Sequence, residues 1–457
     1  MRRAVVLLVL LAAMLGLDAL KIDRHAASDT LTLAAIGFVV LAAFTVAEAG
    51  STLKLPRVTG YIVAGVVLGP SVLDVLSTQV VREMQMFNTL ALGLIAMAAG
   101  LELHVKALVK LYKTLLGTIG IKITLGAGLV AGVLVAMESA MGAVGLETQG
   151  ELYALALVMG ALSIGTSPAI VLAVTKESEA KGRLSELVLG AAVLKDLVVV
   201  VALAVAIAVG RTFLQPGASL DSSVLVHVGK ELGTSMLVGA GVGVVLIAYL
   251  RFVRFEMLLF VAGVILVVAE LAKALHLELL LVFIAAGFVV SNLSKYEHEL
   301  MDAINMVSLP VFVVFFTIAG AGIDLGTTWR LLPLALALCA ARALAYYVAA
   351  RGGGALGGES PVVKSQAVLA YLPQAGVTLG LVGLAATQLT GISDAIRSVG
   401  MAVVTVNLLV GPITLRMALR AAGEVGGDED VAADPSAAVT GSSKVDWPEE
   451  PTLREPL

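Results

Sequence analysis

The segment Gly190-Ala191-Ala192-Val193-Leu194-Lys195-Asp196-Leu197-Val198 puts an amine and a carboxylate side by side, well inside a long apolar run. They stand roughly ten residues from its nearer end, which is near mid-depth for a membrane helix rising about 1.5 Å per residue. An ionised group at that depth costs at least about 2.5–3.5 kcal/mol, so such residues are read first as functional. Arg342, in Leu338-Cys339-Ala340-Ala341-Arg342-Ala343-Leu344, is similarly central. One reading makes Asp196 a carboxylate that binds either a proton or a cation, with Lys195 and Arg342 tuning its proton affinity. The other makes Asp196 and Arg342 a structural pair that locks two helices together.

Two further apolar runs are interrupted by residues that expose backbone. One holds Ser163-Ile164-Gly165-Thr166-Ser167-Pro168 and the other Leu372-Pro373-Gln374-Ala375-Gly376-Val377-Thr378. Each proline removes a helix donor and clashes with the preceding turn. The freed carbonyls need partners, and a cation can be one; Thr166, Ser167 and Gln374 are then the side chains expected to line an ion site. The plainer reading is a proline kink satisfied by neighbouring Ser and Thr. Glu48, Glu102, Glu270 and Asp324 fall near run ends, where a carboxylate reaches interfacial water or caps a helix. Lys122, His104, Lys230 and His276 are expected close to the interfaces, with long side chains snorkelling to water.

The elements that position these groups follow from composition. Hydrophobic residues make up 59% of the 457 and charged residues 14%, with a mean hydropathy of +1.00, against about 25% charged in soluble domains. Apolar runs long enough to cross a bilayer recur near 4–20, 31–50, 58–76, 86–103, 115–137, 151–175, 186–210, 227–250, 254–272, 276–292, 303–321, 329–350, 362–388 and 393–417. They are too long and too uniformly apolar for a barrel. The pattern predicts an all-α polytopic membrane protein of 13–14 transmembrane helices. The run after Arg2 and Arg3 fits a retained helix better than a signal peptide, so 1–30 is expected to be an extra N-terminal helix or signal-like segment, 31–421 the membrane domain and 422–457 a disordered acidic tail. Lys and Arg collect in alternate loops, among them Lys106, Lys110, Lys113, Lys176, Lys181 and Arg183, which places those loops and the C-terminus in the cytoplasm. The net charge of −4 without a basic run gives no nucleic-acid footprint, and the lone Cys339 cannot close an internal disulfide.

Sliding the chain by 222 residues aligns Val46-Ala47-Glu48 with Val268-Ala269-Glu270, Ala64-Gly65 with Ala286-Gly287, and Gly100-Leu101-Glu102-Leu103 with Gly322-Ile323-Asp324-Leu325. An offset of 210 sets Gly190 on Gly400. Loop charges put the equivalent connections on opposite sides, so inverted repeats are expected at about 31–210 and 254–417, an arrangement associated with alternating-access transport.

Leu55-Pro56-Arg57-Val58-Thr59-Gly60-Tyr61 through Leu68-Gly69-Pro70, with Gly100-Leu101-Glu102-Leu103 and Thr166-Ser167-Pro168, resembles motifs of the monovalent cation:proton antiporters, particularly Kef-type and related bacterial sodium/proton exchangers. The resemblance runs from about 31 to 417. It implies a homodimer in the cell (inner) membrane with two crossed interrupted helices, monovalent cations (sodium or potassium) and protons as substrates, and no cofactor. It also implies that Asp196 matches the family's ion-binding aspartate and Arg342 its basic residue. Lys195 departs from the family pattern, in which an oxygen-bearing side chain usually precedes the aspartate. It turns away, or pairs with Asp196 and is displaced on ion binding, or marks a transported species that is not a metal cation. A sodium-coupled organic-anion symporter, or a non-transporting membrane sensor on the same scaffold, are the alternatives; no catalytic spacing points to an enzyme.

Overall fold

The computed structural model describes residues 28–51, 55–214, 223–253, 255–275 and 277–426. The expected N-terminal segment up to residue 27, His276 and the tail beyond residue 426 lie outside the described residues. In chain order the α-helices are α1 (Ser28–Ser51), α2 (Arg57–Leu68), α3 (Thr78–Glu83), α4 (Gln85–Leu101), α5 (Val105–Ile121), α6 (Ala127–Met141), α7 (Gln149–Ser163), α8 (Pro168–Glu177) and α9 (Arg183–Leu214). They continue as α10 (Ser223–Phe252), α11 (Met257–Leu275), α12 (Leu279–Leu293), α13 (Glu297–Ala321), α14 (Leu325–Arg330), α15 (Leu332–Leu356), α16 (Pro361–Ala370), α17 (Gly376–Gln388) and α18 (Ser393–Ala421). Among the described residues, eight segments are long and apolar enough to cross a membrane, and five shorter apolar helices accompany them, one for each run expected between 31 and 417. Among the described residues there is no strand.

Local chemistry sets the boundaries. Thr148 and Glu151 form a capping box at the start of α7, satisfying two donors that a helix start leaves open. Ser167 caps α8 with Pro168 in its first turn, and Ser360 caps α16 with Pro361 likewise, positions where a proline's missing N–H costs nothing. Asp324 caps α14 through Thr327, as expected of a carboxylate at a run end. Hydrogen bonds to Thr327 hold its carboxyl below the usual range. The run expected at 115–137 begins earlier. A continuous helical span runs from Val105 to Met141, with a π-helical turn at Lys122–Gly126 joining α5 to α6.

The helices form two packed groups. In one, α1 and α13 flank α2, and α12, α13 and α11 pack on α4; in the other, α5 to α9 pack with α15 to α18. α10 lies along α12 and also touches α9. The 222-residue offset reappears as reciprocal contacts. A side chain added at Gly320 would strike the Ile62 carbonyl, and one added at Gly100 would strike that of Ile284, and Ile62 and Ile284 are themselves 222 apart. Gly65 on α2 meets α13 at Thr317 in the same way that Gly287 on α12 meets α4 at Met97. Small residues at these positions let backbones approach closely, the usual means of joining helices in lipid.

Candidate functional site

The two interrupted spans meet at their breaks. The Ser167 amide donates to the Pro373 carbonyl at 2.8 Å, the Thr166 hydroxyl to the Tyr371 carbonyl at 2.9 Å, and the Gln374 amide to the Leu162 carbonyl at 3.0 Å. Each break thus satisfies the other's backbone, as an interior without water requires. Asn407 of α18 donates to Gln374 Oε1 at 3.0 Å, which fixes that side chain's orientation.

Arg342 of α15, 1% exposed, closes the crossing. Its Nε donates to the Ser163 carbonyl at 2.9 Å, Nη1 to the Leu372 carbonyl at 2.8 Å and to Asn407 Oδ1 at 3.2 Å, and Nη2 to the Gly165 carbonyl. Tyr346, one turn on, donates to the Ser163 carbonyl at 2.7 Å. The C-terminal ends of α7 and α16 both present open carbonyls and the negative ends of their dipoles, and one guanidinium serves both. Arg342 is therefore not the partner of Asp196 that one sequence reading proposed, and the carbonyls freed at Ser163, Gly165 and Leu372 are taken by Arg342.

Lys195 and Asp196 form their own pair on α9. Lys195 Nζ lies 2.5 Å from Asp196 Oδ1, with side chains 3% and 12% exposed. Asp196 Oδ2 is buried and has no hydrogen-bond partner among the described residues. Burial of a carboxylate is tolerated only when its charge is met, and here the ammonium meets one oxygen and leaves the other open. Of the six expected site residues, Thr166, Ser167, Gln374 and Arg342 converge on the crossing, while Lys195 and Asp196 stand on α9, with Lys195 within electrostatic range of Arg342.

A cavity of about 830 Å³ opens between α5, α8, α9 and α13, lined by Glu102, Lys176, Glu179, Ser185, Glu186 and Asn305 among others. Leu189 also lines it, seven residues before Asp196 and so about 10 Å away along the helix.

Lys122 does not lie at an interface as expected. It is 1% exposed, with Nζ 3.6 Å from the Tyr371 ring centroid and 4.2 Å from that of Tyr346. Snorkelling is ruled out because α5 begins at Val105, which carries Lys122 several turns deeper than a helix starting at 115 would. Asn407 and the two tyrosines were not singled out in the sequence either.

Crossed, interrupted helices inside a polytopic helical bundle, with a buried carboxylate beside them, define a membrane transporter. A family model, the transmembrane part of the sodium/hydrogen exchangers, matches residues 39–421. The chain belongs to this family, one of transporters rather than enzymes. The fold is similar to that of the sodium proton antiporter MjNhaP1 from Methanocaldococcus jannaschii. The structure of that protein at pH 8 aligns with a TM-score of 0.62 and 16% identity, over 87% of this chain and 96% of the other. An electron-microscopy structure of it aligns with a TM-score of 0.68 and 15% identity, over 89% and 99%. No curated protein matches the chain by sequence.

Proposed function

We propose that the protein exchanges a monovalent cation, sodium or potassium, for protons by alternating access, with Asp196 as the shared carboxylate, and works as a homodimer. The observation that carries this reading is the open, buried Oδ2 of Asp196 beside an ammonium that already occupies Oδ1. A carboxylate with one free oxygen in a low-dielectric setting binds a proton or a small cation, and the two compete for it.

Lys195 stands where a cation would otherwise sit. A cation reaching Oδ2 competes with the proton for Asp196 and displaces the ammonium from Oδ1 by repulsion at close range. Exchange then needs no further carboxylate at mid-depth. Arg342 holds the crossing rigid throughout, since its donors are spent on carbonyls, and Thr166, Ser167 and Gln374 act as positioning residues that keep the breaks aligned.

The cavity beside α9 supplies the entrance. It is rimmed by Lys176 and Lys181, on the face where Lys and Arg collect, which by the positive-inside tendency is the cytoplasmic side of the cell membrane. The C-terminal segment reaches the same face, where the Glu424 carboxylate accepts from the Leu184 and Ser185 amides at 2.6 and 2.8 Å.

The test is cation-stimulated proton flux in proteoliposomes, scanned over sodium and potassium. Asp196→Asn is expected to abolish flux while the purified protein keeps its thermal midpoint; flux at the wild-type rate in that variant would sink the mechanism.

A further inference from the structure

Glu278 is a half-buried carboxylate that the exchange scheme does not use. It stands directly before α12 yet makes no capping hydrogen bond there, and among the described residues its side chain takes part in no ion pair. Lys273 of α11 is already engaged by Glu270 at 2.6 Å. What holds Glu278 is its backbone. Its amide donates to Ser235 Oγ on α10 at 2.9 Å, and the same hydroxyl donates to the Glu231 carbonyl at 2.7 Å. Ser235 is fully buried, so one hydroxyl ties the backbones of two acidic residues together.

The two ends of α12 face opposite sides. At its last turn Asn292 Oδ1 accepts from the Val105 amide at 2.8 Å and Asn292 Nδ2 donates to the Leu103 carbonyl at 2.8 Å, and Leu103 and His104 line the cavity. The 15 residues of α12 place Glu278 about 20 Å from that rim. A helix of this length falls short of a hydrocarbon core about 30 Å thick, so Glu278 is recessed beneath the face opposite the cavity. α9 packs against both α10 and α12, and the charges that act on Glu278 are those of Asp196 first and Glu231 second. Asp196 thus stands between the cavity, about 10 Å along α9 from Leu189, and Glu278.

A cation arriving from that face meets an acceptor with no net charge, because Lys195 neutralises Asp196. A neutral pair draws a cation only weakly, and an unpaired carboxylate beside it supplies the missing attraction. We propose that Glu278 is a second cation-binding carboxylate of the path, a station between Asp196 and the face opposite the cavity. From Glu278 the ion passes to the open Oδ2 of Asp196. Among the described residues no three acidic side chains close around one metal position, so the two carboxylates act in succession rather than as one chelate. The cargo is that of the proposed exchange, on which this role rests, and the exchange itself is made at Asp196.

The experiment is cation-driven proton flux in proteoliposomes sorted by orientation, with sodium or potassium added on one face at a time. Glu278 holds Ser235 through its backbone amide, so Glu278→Gln keeps that bond and should fold; Glu278→Ser serves the same comparison if it does not. Glu278→Gln is expected to raise the apparent KM for the cation roughly tenfold on the face opposite the cavity, the order set by losing one nearby unit charge in a low-dielectric setting. The maximal rate and the KM on the cavity face should move far less, and Glu278→Asp should restore most of the loss. Wild-type KM values on both faces would overturn the proposal, and so would an equal rise on both, which a general loosening of the packing would give. If the wild type itself carries no flux, the antiport reading fails and the station is judged by binding in detergent. Sodium or potassium, against choline at equal ionic strength, should then raise the thermal midpoint of the wild type more than that of Glu278→Gln, and equal shifts would overturn the site.

Discussion

Adjacent residues on a helix point about 100° apart, yet Lys195 and Asp196 meet because the lysine stem is long enough to fold back onto its neighbour's carboxylate. The ammonium stabilises the ionised carboxylate, so removing it should let Asp196 take up its proton at higher pH. Lys195→Asn is therefore expected to shift the pH profile of cation-driven proton flux to the alkaline side and to improve apparent cation affinity, since the competing ammonium is gone. Side-by-side profiles of the two proteins check this, and superimposable curves with equal affinities would place Lys195 outside the transport site. The site was legible in the sequence where a charge interrupts an apolar run, as at Lys195, Asp196 and Arg342, or where a proline does, as at Pro168 and Pro373. What Arg342 binds was not legible, because its partners are backbone carbonyls that carry no residue identity. Asn407 and Tyr346 escaped notice for a related reason: a neutral polar group in a span gives no signal until its partner is known.

Between elements, one polar knot ties the start of α9 to the turn before α16 and to α5. Arg183 donates to both Glu359 oxygens at 2.8 and 3.0 Å, and the Thr114 hydroxyl donates to Glu359 at 2.7 Å. Burial works against the ionised form of Glu359, but the Arg183 and Thr114 hydrogen bonds outweigh it and hold the carboxyl below its ordinary value of 4.5. A carboxyl lowered in the folded state contributes stability that is present above its ordinary value and lost as pH falls through its lowered one. Glu359→Gln should thus unfold at lower temperature than the wild type at neutral pH, and the gap should close in acid; thermal midpoints across the acid range measure it. The helices were largely legible from their apolar length, with the start of α5 a clear exception. Lys106, Lys110 and Lys113 break the apolar run there, although lysine is a good helix former and the helix simply continues out of the hydrocarbon. That misplaced start is what hid the depth of Lys122. The short helices α3 and α14 were unreadable because six residues are too few to show a period.

At the scale of the whole molecule, the repeat visible as a 222-residue offset becomes two helix pairs exchanged between halves, α2 on α13 and α12 on α4, so neither half closes its own packing. The group so formed packs on the other through apolar residues such as Ile95, Ile170 and Leu172 in one shared core, and polar contacts join the two as well. The α2 helix start is capped from outside, with the Arg57 amide donating to both Glu177 oxygens at 2.8 and 2.9 Å, and Lys176 donates to Asn305 at 2.6 Å. Contacts of this kind exchange readily with water when they open at a cavity edge, whereas the glycine-lined pairs within the first group do not. Relative movement of the two groups, if it carries the ion site from one side to the other, must part Lys176 on α8 from Asn305 on α13. In a protein carrying Cys339→Ser, joining Lys176→Cys to Asn305→Cys with a short thiol cross-linker should stop cation-stimulated proton flux, and the same variant left unlinked should transport. Equal flux with and without the linker would mean that α8 and α13 keep their separation during the cycle, and that the alternation of access arises elsewhere in the bundle.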